Sequence, residues 1–260
     1  IQSQSNCWFN TMFMAFFISD EGYRYTKIIR QIMITGKRIG GTMIDKKLRL
    51  PFLNFNLAIQ ASIDCTEDTY YLLDDTNVIL EQITRLIPKK TDVHLFKPGE
   101  NGNPIPYYRT IVEYLLKDYN NTKHFQHLMY NNFVSLQVNE AINFVFPDIL
   151  LVSIDNNNPL HVRILKQFPK KTTITLDNNY VYKLDSIIIS NDIHFISFHT
   201  INNKEYAFDG ATYSKAFPMT WKNKINTNKN FNLYQGERSV KDWKFNFVKE
   251  YQILFYYRVK

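Results

Sequence analysis

The spacing of apolar residues changes character along the chain, and the expected element type changes with it. Residues 10–18 run apolar without a breaker, and residues 25–34 carry apolar side chains near helical spacing. Gly36, Gly40 and Gly41 then mark a loop. Over residues 69–87, Leu72, Leu73, Ile79, Leu80, Ile83 and Leu86 keep close to a 3.6-residue period, and Pro88 closes the segment. That spacing predicts a long amphipathic helix. Residues 97–106, rich in Gly, Asn and Pro, read as a loop, and 111–118 as a short helix. From Phe133 onward the pattern is strand-like. Residues 149–154, 172–176, 180–189, 193–201, 205–208 and 251–257 are short β-branched or aromatic runs, most of them parted by Asn- or Asp-rich turns. Helices first and an antiparallel sheet later predict an α+β fold, with residues 1–92 helical and 93–260 mostly β within one domain, 1–260. No internal repeat interrupts this reading.

Composition narrows the class. The chain has 260 residues, of which 45% are hydrophobic and 15% aromatic, enough for a sizeable core and too many for a disordered chain. No apolar run reaches the roughly 20 residues of a membrane span. Residues 8–18 are apolar but too short, and they lack the basic flank of a signal peptide. Ile1 is not an initiating residue, so further chain is expected before it. The net charge of +7 raises nucleic-acid binding. However, the basic residues are dispersed (Lys46-Lys47, Lys89-Lys90, Lys170-Lys171 and residues 222–229), so a solvated surface is expected, with no nucleic acid and no membrane as partner. Two cysteines, Cys7 and Cys65, make neither a disulfide framework nor a four-cysteine zinc site, which points to a reducing, intracellular setting. His124 and His127 stand three apart, as if on one helical face, but no further soft ligands accompany them. No metal and no cofactor is expected.

Cys7 is the candidate for chemistry. A thiol attacks as its thiolate, which a helix N-terminus or a neighbouring imidazolium favours. Cys7 immediately precedes the apolar segment expected to form a helix. Position alone leaves open a buried structural cysteine or a nucleophile with a distant histidine.

The neighbouring residues carry a resemblance. Asn6-Cys7-Trp8-Phe9-Asn10-Thr11 resembles the cysteine box of the ubiquitin-specific proteases, Asn-x-Gly-Asn-Thr-Cys-Tyr-x-Asn-Ser, with Asn6 shifted by one and Thr11 where Ser is usual. Asp64-Cys65-Thr66-Glu67 followed by Leu72-Leu73-Asp74 is similar to the family's second box. Pro147-Asp148-Ile149-Leu150-Leu151-Val152 is similar to its Leu-Pro-x-x-Leu strand. Tyr182-Lys183-Leu184 and His194-Phe195-Ile196-Ser197-Phe198 resemble the histidine box, although Ile193 replaces the usual glycine. Phe208-Asp209 follows, and Tyr251-Gln252-Ile253-Leu254-Phe255-Tyr256 resembles the closing strand. The order of these segments matches the family along nearly the whole chain.

The resemblance implies a papain-like cysteine protease fold: a helical N-terminal thumb over residues 1–92, then fingers and an antiparallel β palm over 93–260. The fingers are short and lack the family's zinc ribbon. It implies Cys7 as nucleophile, His194 as general base and Asp209 as the carboxylate orienting the imidazole. It places Gln2 at the oxyanion position, where the family has Asn, with Gln4 as a substitute. It assigns Asp64 and Glu67 to the basic C-terminal tail of ubiquitin, since carboxylates suit arginine. A turn at Asn202-Asn203 would return Asp209 beside His194. His199, the rival histidine, is expected on the opposite side of the strand, partly exposed. The implied function is a monomeric deubiquitinase whose partners are ubiquitin and its conjugates. The chain would work in a cytoplasm, in a host cell or in a virion. Alternatives are a papain-like protease for another modifier or a viral polyprotein, or an inactive ubiquitin-binding module. The plentiful Asn, Ile, Lys, Tyr and Phe are what an AT-rich genome encodes, as in a large DNA virus or a protist.

Overall fold

The first helices follow from runs of large apolar residues that no breaker interrupts. A computed structural model describes residues 6–64, 76–88, 94–100, 102–118, 124–138, 145–155, 158–177, 179–210, 216–233 and 243–260. Helix α1 (Cys7–Phe13) passes directly into a π-helical turn, Met14–Ile18, and every residue of both is buried. Helix α2 (Asp20–Thr35) begins with Asp20 and Glu21, whose charge suits the positive end of a helix. Gly36 ends it at φ 67°, a left-handed conformation that costs glycine little.

Helix α3 (Lys46–Asp64) has no counterpart among the sequence expectations. Leu48, Phe52, Phe55 and Ile59 hold helical spacing and are fully buried, but Pro51 lies inside the helix and masks the pattern. Burial of that face outweighs the lost backbone bond. Helix α4 (Thr76–Leu86) buries Ile79, Leu80 and Ile83. The expected helix began at 69, and residues 69–75 lie outside the described residues. Helix α5 (Pro104–Leu115) takes only residues 104–106 from the expected loop over 97–106, and it begins earlier than the expected short helix over 111–118. Pro104 opens the helix, where no backbone N–H is needed, and the Asn103 side chain accepts from Ile105 N at 3.0 Å.

The strands join into one mixed sheet. Strands β1 (Phe125–Met129), β2 (Ile149–Ile154), β3 (Thr173–Leu176), β4 (Tyr180–Ser190), β5 (Phe195–Ile201), β6 (Lys204–Phe208), β7 (Phe217–Pro218) and β8 (Tyr251–Arg258) run in the order β1-β2-β8-β4-β5-β6-β7, with β3 on β4. The antiparallel expectation fails at one edge, because β1 pairs with β2 in parallel, Phe125 opposite Ile149. The strand-like reading from Phe133 is also corrected: helix α6 (Tyr130–Val138) follows β1, and helix α7 (Pro159–Gln167) follows β2.

Both sheet faces are covered, which explains why β2 is buried at every position. Ile149, Leu151, Ile188, Ile253 and Phe255 face the helical region, meeting Trp8, Phe16, Phe17, Phe55 and Tyr108 in one core. Leu150, Val152, Ile187, Ile189 and Leu254 form a second core with Phe133, Trp221, Phe245 and Phe247. Tyr257 Oη donates to Ala15 O at 3.1 Å, which ties the sheet to the π-helical turn. The chain is therefore α+β, a helical N-terminal region against a mixed sheet.

Lys46, Lys47, Lys171, Lys224 and Lys229 are exposed as expected, and Lys170 is the exception. It is only 4% exposed, and its Nζ donates to Phe247 O and, at 2.8 Å, to Gln252 Oε1. Burial pushes the amine down from 10.5 to about 7. The unfolded chain keeps that proton up to the ordinary lysine range, while the folded chain releases it near 7. Between those values the unfolded state binds more protons, so stability rises with pH. This amine alone raises the denaturation midpoint from pH 7 towards pH 10, so the midpoint of Lys170→Met relative to the wild type is expected to fall over that range. An unchanged slope in the variant contradicts the burial of this amine.

Candidate active site

Three side chains from distant parts of the sequence converge where the helical region meets one end of the sheet. Cys7 opens α1, and α1 rests on β5. Asn6 O accepts from Phe9 N at 3.0 Å and Asn10 N at 3.1 Å, which starts the helix at the cysteine. The Asn6 side chain donates to Asn77 Oδ1 on α4 at 2.8 Å, so a second helix fixes the residue before Cys7.

His194 sits just before β5, on the turn after β4. Asn191 builds that turn: its Oδ1 accepts from His194 N at 2.9 Å and Ile193 N at 3.3 Å. Ile193 stands 73% exposed at the rim. Asp209 follows β6. The β5–β6 hairpin turns at Asn202 and Asn203, at φ 51° and 59°, a left-handed pair that asparagine tolerates. Their N–H groups donate to Asp20 Oδ1 at 2.7 Å and Oδ2 at 2.8 Å, so α2 pins the hairpin. Pairing of Ser197 with Phe208 then delivers the following residue, Asp209, to His194.

The resulting contacts run in a line. His194 Nε2–H donates to Asp209 Oδ1 at 2.6 Å, and both side chains are buried. The Cys7 side chain hydrogen-bonds the same imidazole. Burial opposes a charge on His194, but the hydrogen bonds and negative charge of Asp209 and Cys7 outweigh it. The imidazole is raised from 6.5 to about 9. This arrangement favours the imidazolium form of His194 at neutral pH. Cys7 is 8% exposed, close to the surface without projecting from it.

His199 lies elsewhere, and the expectation of partial exposure is corrected. It is fully buried, with Nδ1 at 3.1 Å from Ser186 Oγ and Nε2 at 2.7 Å from Ser197 Oγ. Without a charged partner, burial pushes its imidazole far down, to about 3. It is a neutral ring satisfied by two hydroxyls, unsuited to hold a proton near pH 7.

Asp64 ends α3. Its Oδ1 accepts from Gln60 Nε2 at 2.7 Å, and its charge acts on Arg30. Its partners are these rather than Cys7, His194 or Asp209. Gln2, Gln4, Cys65 and Glu67 lie outside the described residues. His124 and His127 are not on a helix: His127 is in β1, bonded to Ser153 Oγ at 2.8 Å, while His124 Nδ1 meets Asp148 Oδ2 at 3.0 Å. Among the described residues, no group of three or more His, Cys, Asp or Glu is arranged to hold a metal ion. No helix among them is long and apolar enough to cross a membrane.

The sequence expectations missed Asn77, Asn191 and Trp243. The Trp243 ring lies tilted over His194, with centroids 4.2 Å apart and planes inclined by 31°. An Asn-Asp pair between two strand patterns is a legible turn signal and leads to Asn191. No local pattern leads to Trp243. A scan against protein-family models found no family that matches the chain, and a search of curated proteins found no match.

Proposed function

We propose that the chain is a papain-like cysteine protease that hydrolyses the isopeptide bond after the C-terminal glycine of ubiquitin. The observation that carries this reading is the buried line from Cys7 through His194 to Asp209. A helical region bearing the thiol and a sheet bearing the imidazole and carboxylate suit that fold, with the helices as thumb and the sheet as palm. The order of the sequence boxes supplies the substrate.

In the proposed reaction the Cys7 thiolate adds to the glycine carbonyl carbon. The tetrahedral oxyanion would be met by the Cys7 backbone N–H and by the Gln2 amide. Collapse breaks the carbon–nitrogen bond, and the His194 imidazolium gives its proton to the departing lysine amine. A thioester joins Cys7 to ubiquitin. His194, now neutral, takes a proton from water as that water attacks the thioester. Collapse of that adduct breaks the carbon–sulfur bond, ubiquitin leaves as the acid and gives its proton to solvent, and the Cys7–His194 pair is restored. Asp209 holds the ring and balances its charge throughout. Asp64 and Glu67 would receive the arginines of the ubiquitin tail.

A substrate panel tests the reading. Ubiquitin carrying a C-terminal fluorogenic amide is expected to be cleaved faster than amides of other ubiquitin-like modifiers or of short peptides. Exclusive cleavage of a peptide or of another modifier contradicts it. The pH profile adds a second check. Because His194 keeps its proton to about 9, hydrolysis is expected to decline as pH rises past that value. The same raised value stabilises the fold fully below the ordinary 6.5, and this contribution is lost as pH rises through about 9. A decline already complete near pH 7 contradicts the assignment of His194.

A further inference from the structure

The Asp209 hydrogen bond acts at one edge of the His194 ring, at Nε2. Rotation about the Cβ–Cγ bond still swings the ring faces, and a contact on a ring face narrows that swing. Trp243 makes that contact, at 4.2 Å between centroids. The face of an indole is also electron-rich, so it favours the protonated ring over the neutral one.

The segment bearing Trp243 is itself anchored. Phe245 is 1% exposed and exchanges backbone hydrogen bonds with Phe231, at 2.8 Å and 2.9 Å. Asn191, whose Oδ1 holds the His194 backbone, donates its Nδ2 to Lys244 O at 3.3 Å. The residues around Trp243 thus reach His194 twice, once at its ring face and once through its turn.

We infer that Trp243, held by Lys244 and Phe245, is a positioning residue that narrows the swing of the His194 ring and favours its protonated form. The inference rests on the reading of His194 as the acid and base of the proposed hydrolysis. Asp209 and Cys7 are the titratable groups acting on the ring among the described residues, and Asp209 bonds its Nε2 edge. Trp243 adds no charge of its own, so its effect separates from theirs.

The test uses the full chain with Trp243→Leu and Trp243→Phe. Leucine keeps apolar bulk without a π face, and phenylalanine keeps a smaller π face. The His194 titration is followed by NMR, with kcat and KM measured in parallel on the ubiquitin amide. In Trp243→Leu the His194 midpoint is expected to fall by about half to one pH unit, the size of a partly buried cation–π contact. The alkaline limb of the rate profile should move down with it. A drop in kcat of about tenfold is expected from the loosened ring, with KM nearly unchanged. Trp243→Phe should recover most of both effects. An unmoved midpoint with unchanged kcat overturns the inference, as does a kcat loss that phenylalanine restores no better than leucine. If Trp243→Leu does not fold, Trp243→Phe alone decides: a smaller downward shift supports the inference and no shift overturns it. A wild-type chain without turnover defeats the proposed hydrolysis instead, while the titration still reads the role of Trp243.

Discussion

His194→Ala is expected to lower hydrolysis of a ubiquitin amide by about 10²–10⁴-fold, the range for losing a general acid–base group. Two losses combine in that substitution. The leaving amine no longer receives a proton, and the thiol loses its imidazole partner. Asp209→Asn is expected to act through the same ring. It removes the negative charge that favours the imidazolium while nearly keeping the shape, so the His194 titration should shift downward. His199→Ala is the informative control. His199 is enclosed by Ser186 and Ser197 and carries no charge near neutral pH, so its loss should lower stability and leave the chemistry of the folded fraction intact. Measuring kcat for the three variants, each corrected for its folded fraction, separates these outcomes. A His199→Ala variant that folds but does not turn over, beside an active His194→Ala, contradicts the assignment.

Trp8→Ala is expected to cost about 3–5 kcal/mol of stability, as other deletions of a buried aromatic do. Trp8 is 1% exposed and meets Phe9, Phe96 and Tyr107 edge-on, with centroids 5.6–5.9 Å away. Its Nε1 donates to Glu100 O at 3.1 Å, so alanine also loses a hydrogen bond. The pocket is closely fitted to the indole. A Cβ added at Gly102 would lie 2.6 Å from the ring, inside contact distance. Trp8 directly follows Cys7, so its removal should also disturb the thiol, and activity should fall by more than the unfolded fraction explains. Urea denaturation checks the first statement. Tyr23→Ala, at an exposed position on α2, should change stability by about 0.5 kcal/mol or less. A Trp8→Ala cost no larger than that of Tyr23→Ala contradicts the packing described.

What the sequence made legible differs between sheet and helices for physical reasons. Ile149–Ile154 and Tyr180–Ser190 were readable because β-branched runs buried on both faces have few other uses. The Asn202-Asn203 turn was readable because asparagine tolerates left-handed backbone. Helix α3 was hidden by Pro51, and α5 by prolines in its first turn, where local preference says loop and tertiary burial decides otherwise. The parallel pairing of β1 leaves no local trace, since register and direction are set across the sheet.

The candidate site divides in the same way. Cys7, His194 and Asp209 were named from the order of short motifs, and hairpin geometry gave a reason for the second pair to meet. Lys170 reads as a surface lysine because nothing local reports that Phe247 and Gln252 will enclose it. Trp243 lies far along the chain from His194, and the fold alone brings the rings together.

The central claim is that Cys7 is a nucleophile directed at the ubiquitin C-terminus. Ubiquitin with an electrophile in place of its terminal carboxylate tests it most directly. Intact-mass measurement is expected to show one ubiquitin added to the chain, with peptide mapping placing it on Cys7. Cys7→Ala should give no adduct, and His194→Ala a slowed one. Absence of an adduct on the folded wild-type chain, or an adduct undiminished in Cys7→Ala, would contradict the claim.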